Sequence, residues 1–214
     1  IYRTEVPSGV AQLVATVANT TTGYIDSTIQ CPGIYSYQIR ARGLCARAYI
    51  SNSDTSAARP DNDIEQQVVL VTRSTVLNNE SVLTEWKPPV LHPERVAAYK
   101  ILRSTDQINF THIATVPAVV TSYTDNQVAV NDQEYYYKIL VINDCQLNGT
   151  LSGPGSSILL KGVFNNYRTT LIWTPYKEWN TGVDSYIIER QTLSGSWEQV
   201  KIVSGSEIGT VLDE

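Results

Sequence analysis

A short segment with alternating side chains occurs three times in this 214-residue chain. Residues 99–103 read Tyr-Lys-Ile-Leu-Arg and residues 186–190 read Tyr-Ile-Ile-Glu-Arg, 87 positions later. Residues 1–3 read Ile-Tyr-Arg and match the end of the same segment, 100 positions earlier. A recurrence at this spacing is the signature of a chain built from repeated structural units.

The flanking residues follow the same spacing. Trp86 precedes Tyr99 by 13 residues, and Trp173 precedes Tyr186 by the same interval. Residues 35–41, Tyr-Ser-Tyr-Gln-Ile-Arg-Ala, match residues 135–141, and each run is followed by a cysteine 10 residues after its first tyrosine. Each repeat therefore contains several matched segments, which places its length at about 90–100 residues.

The matched segments alternate between apolar and polar residues, which predicts strands with one face on a core and one in water. Turn-forming clusters separate them, for example at residues 78–79, 104–106 and 148–149. The 13 tyrosines against 2 phenylalanines also suit a pleated, half-buried surface. No stretch shows a sustained helical period, so the sequence predicts an all-β fold of antiparallel β-sandwiches.

Four features resemble strands B, C, E and F of fibronectin type III domains. They are Trp86 before Pro-Pro, the Tyr-x-Ile-x-Arg strand, Tyr123-x-Asp125, and the strand from Tyr135. The resemblance implies tandem fibronectin type III-like sandwiches. It implies core positions for Trp86 and Trp173, and a tyrosine corner at Tyr35 and Tyr135. The sequences of residues 101–116 and 121–125 also resemble modules of the gliding motility-associated surface proteins of Bacteroidetes. Those proteins are exported by type IX secretion.

The repeat positions divide the chain into three parts. Residues 64–161 form a complete unit, residues 1–63 the C-terminal part of a preceding one, and residues 162–214 the N-terminal part of a following one. The chain begins within a unit, so we expect it to be a piece of a longer protein. Short linkers, at residues 59–63 and at Lys161–Gly162, predict a fairly stiff rod.

In the first of the two partial units, alternation predicts which residues face inward. We expect an inward face in the first part at Tyr35, Tyr37, Ile39 and Ala41. In the last part we expect it at Leu171, Trp173, Tyr186 and Ile187.

Charge and hydropathy exclude two classes of partner. The chain has 16 Lys and Arg against 21 Asp and Glu, a net charge of -5, and no basic stripe, so we expect no nucleic-acid binding. It contains no apolar run of about 18 residues, so we expect no membrane insertion of this segment.

We expect no catalytic centre and no cofactor. His92 and His112 lie 20 residues apart and have no histidine counterparts in the other repeats. Asp26, Asp125 and Asp213 recur once per unit, too far apart to act as a catalytic carboxylate pair. We interpret them as caps of the turn after a strand, bonded to nearby backbone N–H groups.

The cysteines and one acidic cluster leave alternatives open. Cys31, Cys45 and Cys145 form no metal pattern, and we favour thiols over a disulfide to a cysteine elsewhere in the protein. A Cys31–Cys45 bond is disfavoured because an extended strand separates the two. Asp61, Asp63 and Glu65 suggest either a polar linker or a calcium site at a junction; we favour the linker and predict no metal.

Exposed tryptophans would suit stacking on a sugar face. Trp179 has no aromatic counterpart in the other repeats and lies in a Pro/Gly-containing loop, so it is the candidate carbohydrate contact. Trp197 aligns with Phe110, and we interpret it as a core residue of its unit.

The function that these features favour is a structural or adhesive spacer in a large extracellular or cell-surface protein, linked to bacterial gliding or attachment. Its partners would be neighbouring domains of the same protein, surface polysaccharide or other surface proteins. One alternative is an accessory, non-catalytic region of a secreted polysaccharide-degrading enzyme. Another is the ectodomain of a eukaryotic receptor.

Overall fold

The computed structural model describes residues 1–30, 33–42, 50–53, 55–58, 68–177 and 182–213. These residues form 19 β-strands, and every strand pair is antiparallel. The one helical element in the described ranges is a 3₁₀ turn at Pro93–Arg95. The expectation of an all-β chain is confirmed.

Eight strands make up the middle of the chain. They are β7 (Leu70–Leu77), β8 (Ser81–Lys87), β9 (Val96–Ser104), β10 (Thr111–Pro117), β11 (Ser122–Asp125), β12 (Tyr136–Asn143), β13 (Asn148–Leu151) and β14 (Gly155–Ser156). One sheet has the order β11-β8-β7, and the other has the order β10-β9-β12-β13 with β14 also paired to β12. A three-stranded sheet of first, second and fifth strands facing a sheet of the rest is the fibronectin type III-like arrangement.

The core of this middle unit lies between its two sheets. Val82 and Trp86 of β8 pack in one cluster with Tyr99 and Ile101 of β9. Along β12 the three residues that share the inner face, Tyr137, Ile139 and Val141, are completely buried. Both sheets contribute alternate residues to one core, and the unit is therefore a sandwich.

The first part of the chain contains the counterpart of the larger sheet of the middle unit. Its strands are β1 (Tyr2–Val6), β2 (Gln12–Leu13), β3 (Ile34–Gln38), β4 (Arg40–Arg42), β5 (Ile50–Asn52) and β6 (Ser56–Ala58). The sheet order β2-β1-β3-β6 corresponds to β10-β9-β12-β13 of the middle unit, and β4 pairs with β5 separately.

The last part contains the counterpart of the three-stranded sheet. Its strands are β15 (Leu160–Asn165), β16 (Arg168–Trp173), β17 (Ser185–Gln191), β18 (Trp197–Ser204) and β19 (Gly209–Asp213). The order β15-β16-β19 corresponds to β7-β8-β11, and the pair β17-β18 corresponds to β9-β10. Lys161 and Gly162, expected in a linker, lie within β15, where they pair with Ile172 and Leu171.

Three inward assignments in the partial units are wrong, because Ile39, Ala41 and Ile187 are all exposed. Ile187 is 58% exposed, because its neighbours Tyr186 and Ile188 face the core and successive side chains of a strand point to opposite sides. Ile39 is also 58% exposed, since it lies between β3 and β4 and not within a continuous strand. Its counterpart Ile139 lies inside the longer strand β12 and is fully buried.

Candidate functional site

The two tryptophans that mark the repeat occupy equivalent places. Trp86 is 3% exposed and meets Tyr99 edge to face, with ring centroids 5.4 Å apart. Trp173 is 6% exposed and meets Tyr186 in the same way at 5.3 Å. Such edge-to-face pairs add to the free energy gained by burying the rings alone. The pairs fasten β8 to β9 and β16 to β17, one from each sheet of their units.

Tyr35 and Tyr135 each bond to the backbone a few residues upstream. The hydroxyl of Tyr135 accepts a hydrogen bond from the amide of Ala129 at 2.8 Å. The hydroxyl of Tyr35 accepts from the amide of Gln30 at 3.0 Å and donates to its carbonyl at 2.9 Å. Both rings are buried. This is the geometry of a tyrosine corner, which closes the connection leading into the strand.

A buried carboxylate in the middle unit joins the two sheets. Asp125 ends β11, and its Oδ2 atom accepts hydrogen bonds from Arg103 Nη1 at 2.8 Å and from the Tyr137 hydroxyl at 3.0 Å. Arg103 lies on β9 and Tyr137 on β12, both in the opposite sheet. The Oδ1 atom of Asp125 accepts from the amide of Gln127 at 2.9 Å, which is the expected turn cap. One side chain thus caps a turn and links the sheets.

The same cluster forms in the first part of the chain. Oδ2 of Asp26 accepts from Arg3 Nη1 at 2.8 Å and from the Tyr37 hydroxyl at 3.0 Å. Its Oδ1 atom accepts from the amide of Thr28 at 3.0 Å and from the Thr28 hydroxyl at 2.7 Å. The three residues correspond to Arg103, Asp125 and Tyr137 in the repeat, so the clasp, as we call this Arg–Asp–Tyr cluster, is a repeated device.

In both clasps the arginine also lies over the tyrosine-corner ring. The Cζ atom of Arg103 is 5.6 Å from the centroid of Tyr135, and that of Arg3 is 5.1 Å from the centroid of Tyr35. A guanidinium at this distance is attracted by the ring quadrupole. The clasp and the tyrosine corner therefore form one connected unit.

The electrostatics of the clasp favour the ion pair. Burial raises the pKa of Asp26, but the hydrogen bonds from Thr28, Arg3 and Tyr37 outweigh it, and the pKa lies at about 2. Burial and the neighbouring Asp125 carboxylate both raise the pKa of the Tyr137 phenol. At neutral pH Asp26 is therefore charged, and Tyr137 is a neutral donor. This arrangement holds strands together and offers no activated nucleophile or free base.

The last part of the chain pairs its arginine differently. Arg190, the counterpart of Arg103, binds Glu198 of β18 at 2.8 Å, and both side chains are about half exposed. An exposed pair contributes little to stability. The side chain of Asp213, the third recurring aspartate, lies outside the described residues.

The two histidines are exposed and bond to near neighbours in the sequence. Nδ1 of His92 lies 3.2 Å from Glu94, and Nε2 of His112 lies 2.9 Å from the Thr115 hydroxyl. A catalytic base needs a nucleophile and a third, orienting group in reach of one imidazole. The bonds above bring a carboxylate to His92 and a hydroxyl to His112, and not both to the same ring. Within the described ranges, no group of three or more His, Cys, Asp or Glu side chains could hold a metal ion. The acidic cluster Asp61, Asp63 and Glu65 lies outside those ranges.

Cys145 differs from the free thiol that we favoured. It is disulfide-bonded, it is buried, and its Sγ atom accepts a hydrogen bond from Arg95 at 3.3 Å. Cys31 and Cys45 lie outside the described residues.

The tryptophans considered as sugar platforms have different outcomes. Trp179, the candidate carbohydrate contact, lies outside the described residues. Trp197 is 64% exposed, so its assignment to the core is wrong. Its counterpart Phe110 explains the error: that ring packs under the ammonium of Lys138, 4.5 Å away, and does not belong to the core cluster. The alignment of Trp197 with Phe110 identifies equivalent strand positions, but the side chains at these positions do not face the core.

Sequence comparison identifies no relative, since no protein-family model and no curated protein matches the chain. Solved structures with a similar outline include a Fn3-like protein from Clostridium thermocellum, at 20% identity and a TM-score of 0.36, covering 42% of this chain and 88% of that one. The FN1–FN3 domains of chicken CNTN1 give 15% identity and a TM-score of 0.38, covering 85% of this chain and 67% of that one.

A β-1,2-glucanase from Parabacteroides distasonis gives 17% identity and a TM-score of 0.36, covering 50% of this chain but 15% of the glucanase. All three TM-scores are below 0.5, so the fold assignment rests on the strand order. The chain is a tandem array of fibronectin type III-like sandwiches. None of its described helical residues forms a segment long and apolar enough to span a membrane.

The clasp was only partly foreseen from the sequence. The sequence identifies the recurring aspartates as turn caps, but strand patterns alone give their arginine and tyrosine partners no shared role. The signal was present, because Arg3, Asp26 and Tyr37 recur at spacings of 99 to 100 residues. Reading the repeated polar residues together, and not strand by strand, would have found the cluster.

Proposed function

We propose that this chain is a non-catalytic structural spacer within an extracellular or cell-surface protein. The observation that carries the proposal is the repeated clasp, which ties the sheets of the middle unit together through Asp125 and recurs at Asp26. A polar link between the sheets, added to a continuous apolar core, resists separation of the sheets. The described polar side chains serve this packing and form no catalytic arrangement.

The narrower assignment within this proposal is a bacterial surface protein of the gliding or attachment kind, exported by type IX secretion. This assignment rests on the resemblance of residues 101–116 and 121–125 to modules of such proteins. Antibodies against residues 68–158 should label intact cells of the source organism, and labelling only after cell lysis would contradict an extracellular location.

Single-molecule pulling tests the mechanical role. The other two cysteines, Cys31 and Cys45, lie before the middle unit, so a disulfide from Cys145 to either of them keeps most of that unit from extending. With the disulfide reduced, the middle unit should open in one discrete step that releases about 30 nm of chain, at roughly 3.5 Å per residue. Asp125→Asn should lower the force of that step. Gradual extension with no discrete step would contradict a spacer whose units resist unfolding under force. Turnover of polysaccharide, ester or peptide substrates that is lost with His92→Ala or His112→Ala would contradict the absence of catalysis.

A second candidate is an accessory carbohydrate-binding region of a polysaccharide-degrading enzyme. The observation that favours it is the exposed indole of Trp197 on β18, a flat apolar surface of the kind that stacks on sugar rings. Affinity electrophoresis in gels containing soluble β-glucan, pectin or xylan would show retardation that Trp197→Ala removes. Equal mobility in gels with and without polysaccharide would exclude this candidate for those glycans.

A further inference from the structure

One tyrosine of the last unit binds the backbone of the middle unit. The hydroxyl of Tyr176 accepts a hydrogen bond from the amide of Ser74 at 3.1 Å, across 102 residues of sequence. Ser74 lies on β7, an outer strand of the sheet β11-β8-β7. Alternate amides of an outer strand point away from their own sheet and need another partner. Tyr176 supplies that partner from the neighbouring unit.

The position of Tyr176 is itself held from both units. Its amide donates to the hydroxyl of Tyr186 on β17 at 3.0 Å. The amide of the next residue, Lys177, donates to Ser156 of β14 at 3.3 Å. The short segment from Tyr176 to Lys177 is therefore fastened to its own unit by one bond and to the middle unit by two.

A cleft lies beside this contact. It has a volume of about 330 Å³ and is lined by residues of the middle unit, the connection and the last unit, among them Arg73, Thr75, Val76, Ile158, Val183 and Tyr186. Protein interiors are packed closely, with few voids larger than a water molecule. Side chains thus leave this cleft open beside the joint. Besides the bonds of Tyr176 and Lys177, the polar contacts between the units include the Lys177 ammonium 5.9 Å from the Tyr136 ring centroid and the bond from Lys161 Nζ to the Asn131 carbonyl at 2.6 Å.

The tyrosine is particular to this joint. Aligning the units on Trp86 and Trp173 places Pro89 at the position of Tyr176 and Val90 at the position of Lys177. Proline offers no hydroxyl, and Val90 is 94% exposed. At this aligned position, therefore, the middle unit offers no hydroxyl that could bind an outer strand of the unit before it.

We propose that Tyr176 is the pin of a hinge between the middle and last units, and that its bond to Ser74 fixes the angle between them. This deepens the spacer function proposed above, on which it rests. With the pin in place the two units move as one body. Without it, the cleft gives them room to turn about the short connection.

Hydrogen exchange of a single amide tests the pin directly. Tyr176→Phe keeps the ring and removes the hydroxyl, so the Ser74 amide should exchange about fivefold faster, the factor expected from losing one hydrogen bond. Tyr167→Phe is the matched control, because Tyr167 is 80% exposed in the turn between β15 and β16. Unchanged exchange at Ser74 in Tyr176→Phe would overturn the proposal.

Residual dipolar couplings on the full chain test the hinge. In the unmodified protein and in Tyr167→Phe, residues 68–158 and 160–213 should share one alignment tensor. In Tyr176→Phe each should have its own, while chemical shifts within each unit stay unchanged. Two tensors in the unmodified protein, or one tensor in Tyr176→Phe, would overturn the hinge. Neither result depends on the discrete pulling step of the middle unit. Failure of the hinge can therefore be distinguished from failure of the spacer function.

Discussion

Arg103 and Asp125 meet across the sandwich at 2.8 Å, and the aspartate side chain is only 2% exposed. The pair joins the end region of β9 in one sheet to the end of β11 in the other. A buried charge is stable only if it is paired and hydrogen-bonded. Asp125 meets that condition with three donors, from Arg103, Tyr137 and Gln127, so each partner depends on the others.

Removing the charge of Asp125 should destabilise the middle unit strongly. Asp125→Asn leaves Arg103 without its counter-ion. We expect the free energy of unfolding to fall by about 2–4 kcal/mol. This value lies toward the lower part of the range for buried ion pairs because Arg103 is partly exposed. Urea unfolding followed by NMR signals of β12 measures it. Glu85→Gln, which breaks the exposed pair with Arg73, is the control and should cost under about 1 kcal/mol. Equal losses for the two variants would contradict the clasp.

The Tyr137 phenol should make the middle unit sensitive to alkali. Burial and the Asp125 charge raise its pKa, so its contribution to stability is complete below the unfolded value near 10 and is lost as the pH rises above that value. Tyr137→Phe should therefore flatten the fall in unfolding free energy above about pH 10. Urea titrations at several alkaline pH values test this, with the exposed Tyr167→Phe as control. The same slope in Tyr137→Phe and the unmodified protein would refute it.

Asp26 should titrate in strong acid. Its pKa is lowered to about 2, so its contribution to stability is present above the unfolded value of about 4 and is lost as the pH falls toward 2. The carboxyl ¹³C shift of Asp26 measures the midpoint. Thr28→Val removes one hydroxyl donor and should raise that midpoint, whereas the exposed Thr22→Val should not. An Asp26 midpoint near 4 in the unmodified chain would show that the first clasp does not form in solution.

Trp86 should matter for its volume and not for its polar atom. Its Nε1 group is buried without a hydrogen-bond partner among the described residues. Trp86→Ala should cost about 3–5 kcal/mol through the cavity it leaves, while Trp86→Phe should cost clearly less. Thermal unfolding of both variants tests this. A cost below about 1 kcal/mol for Trp86→Ala would mean that β8 does not face the core.

Period-two alternation was sufficient to predict β9 and β12, because long central strands with one buried face leave a clear pattern. Partial units gave less reliable predictions. The expected inward position of Ile187 is wrong, because Tyr186 and Ile188 on either side of it occupy the core face. Alignment with Phe110 does not establish a core position for Trp197, because the Phe110 ring packs against Lys138 outside the core. Alignment identifies the equivalent position on a strand. Packing decides whether the side chain at that position faces the core or the solvent.

Contacts between units were beyond what the sequence could predict. The bond between Tyr176 and Ser74 depends on how two folded bodies sit against each other, and no local pattern around either residue encodes it. The disulfide of Cys145 was likewise not predicted, because three cysteines leave the pairing open.

Tyr176 belongs to neither hydrophobic core, and the corresponding residue one unit earlier is Pro89. The curvature of such an array is therefore separable from the stability of its units. In this array the residue at that position of the β16–β17 connection decides whether a unit is bonded to the unit before it. Exchanging one residue there would change the angle between neighbouring units, and so the bend of the whole array, while the fold of each sandwich stays the same.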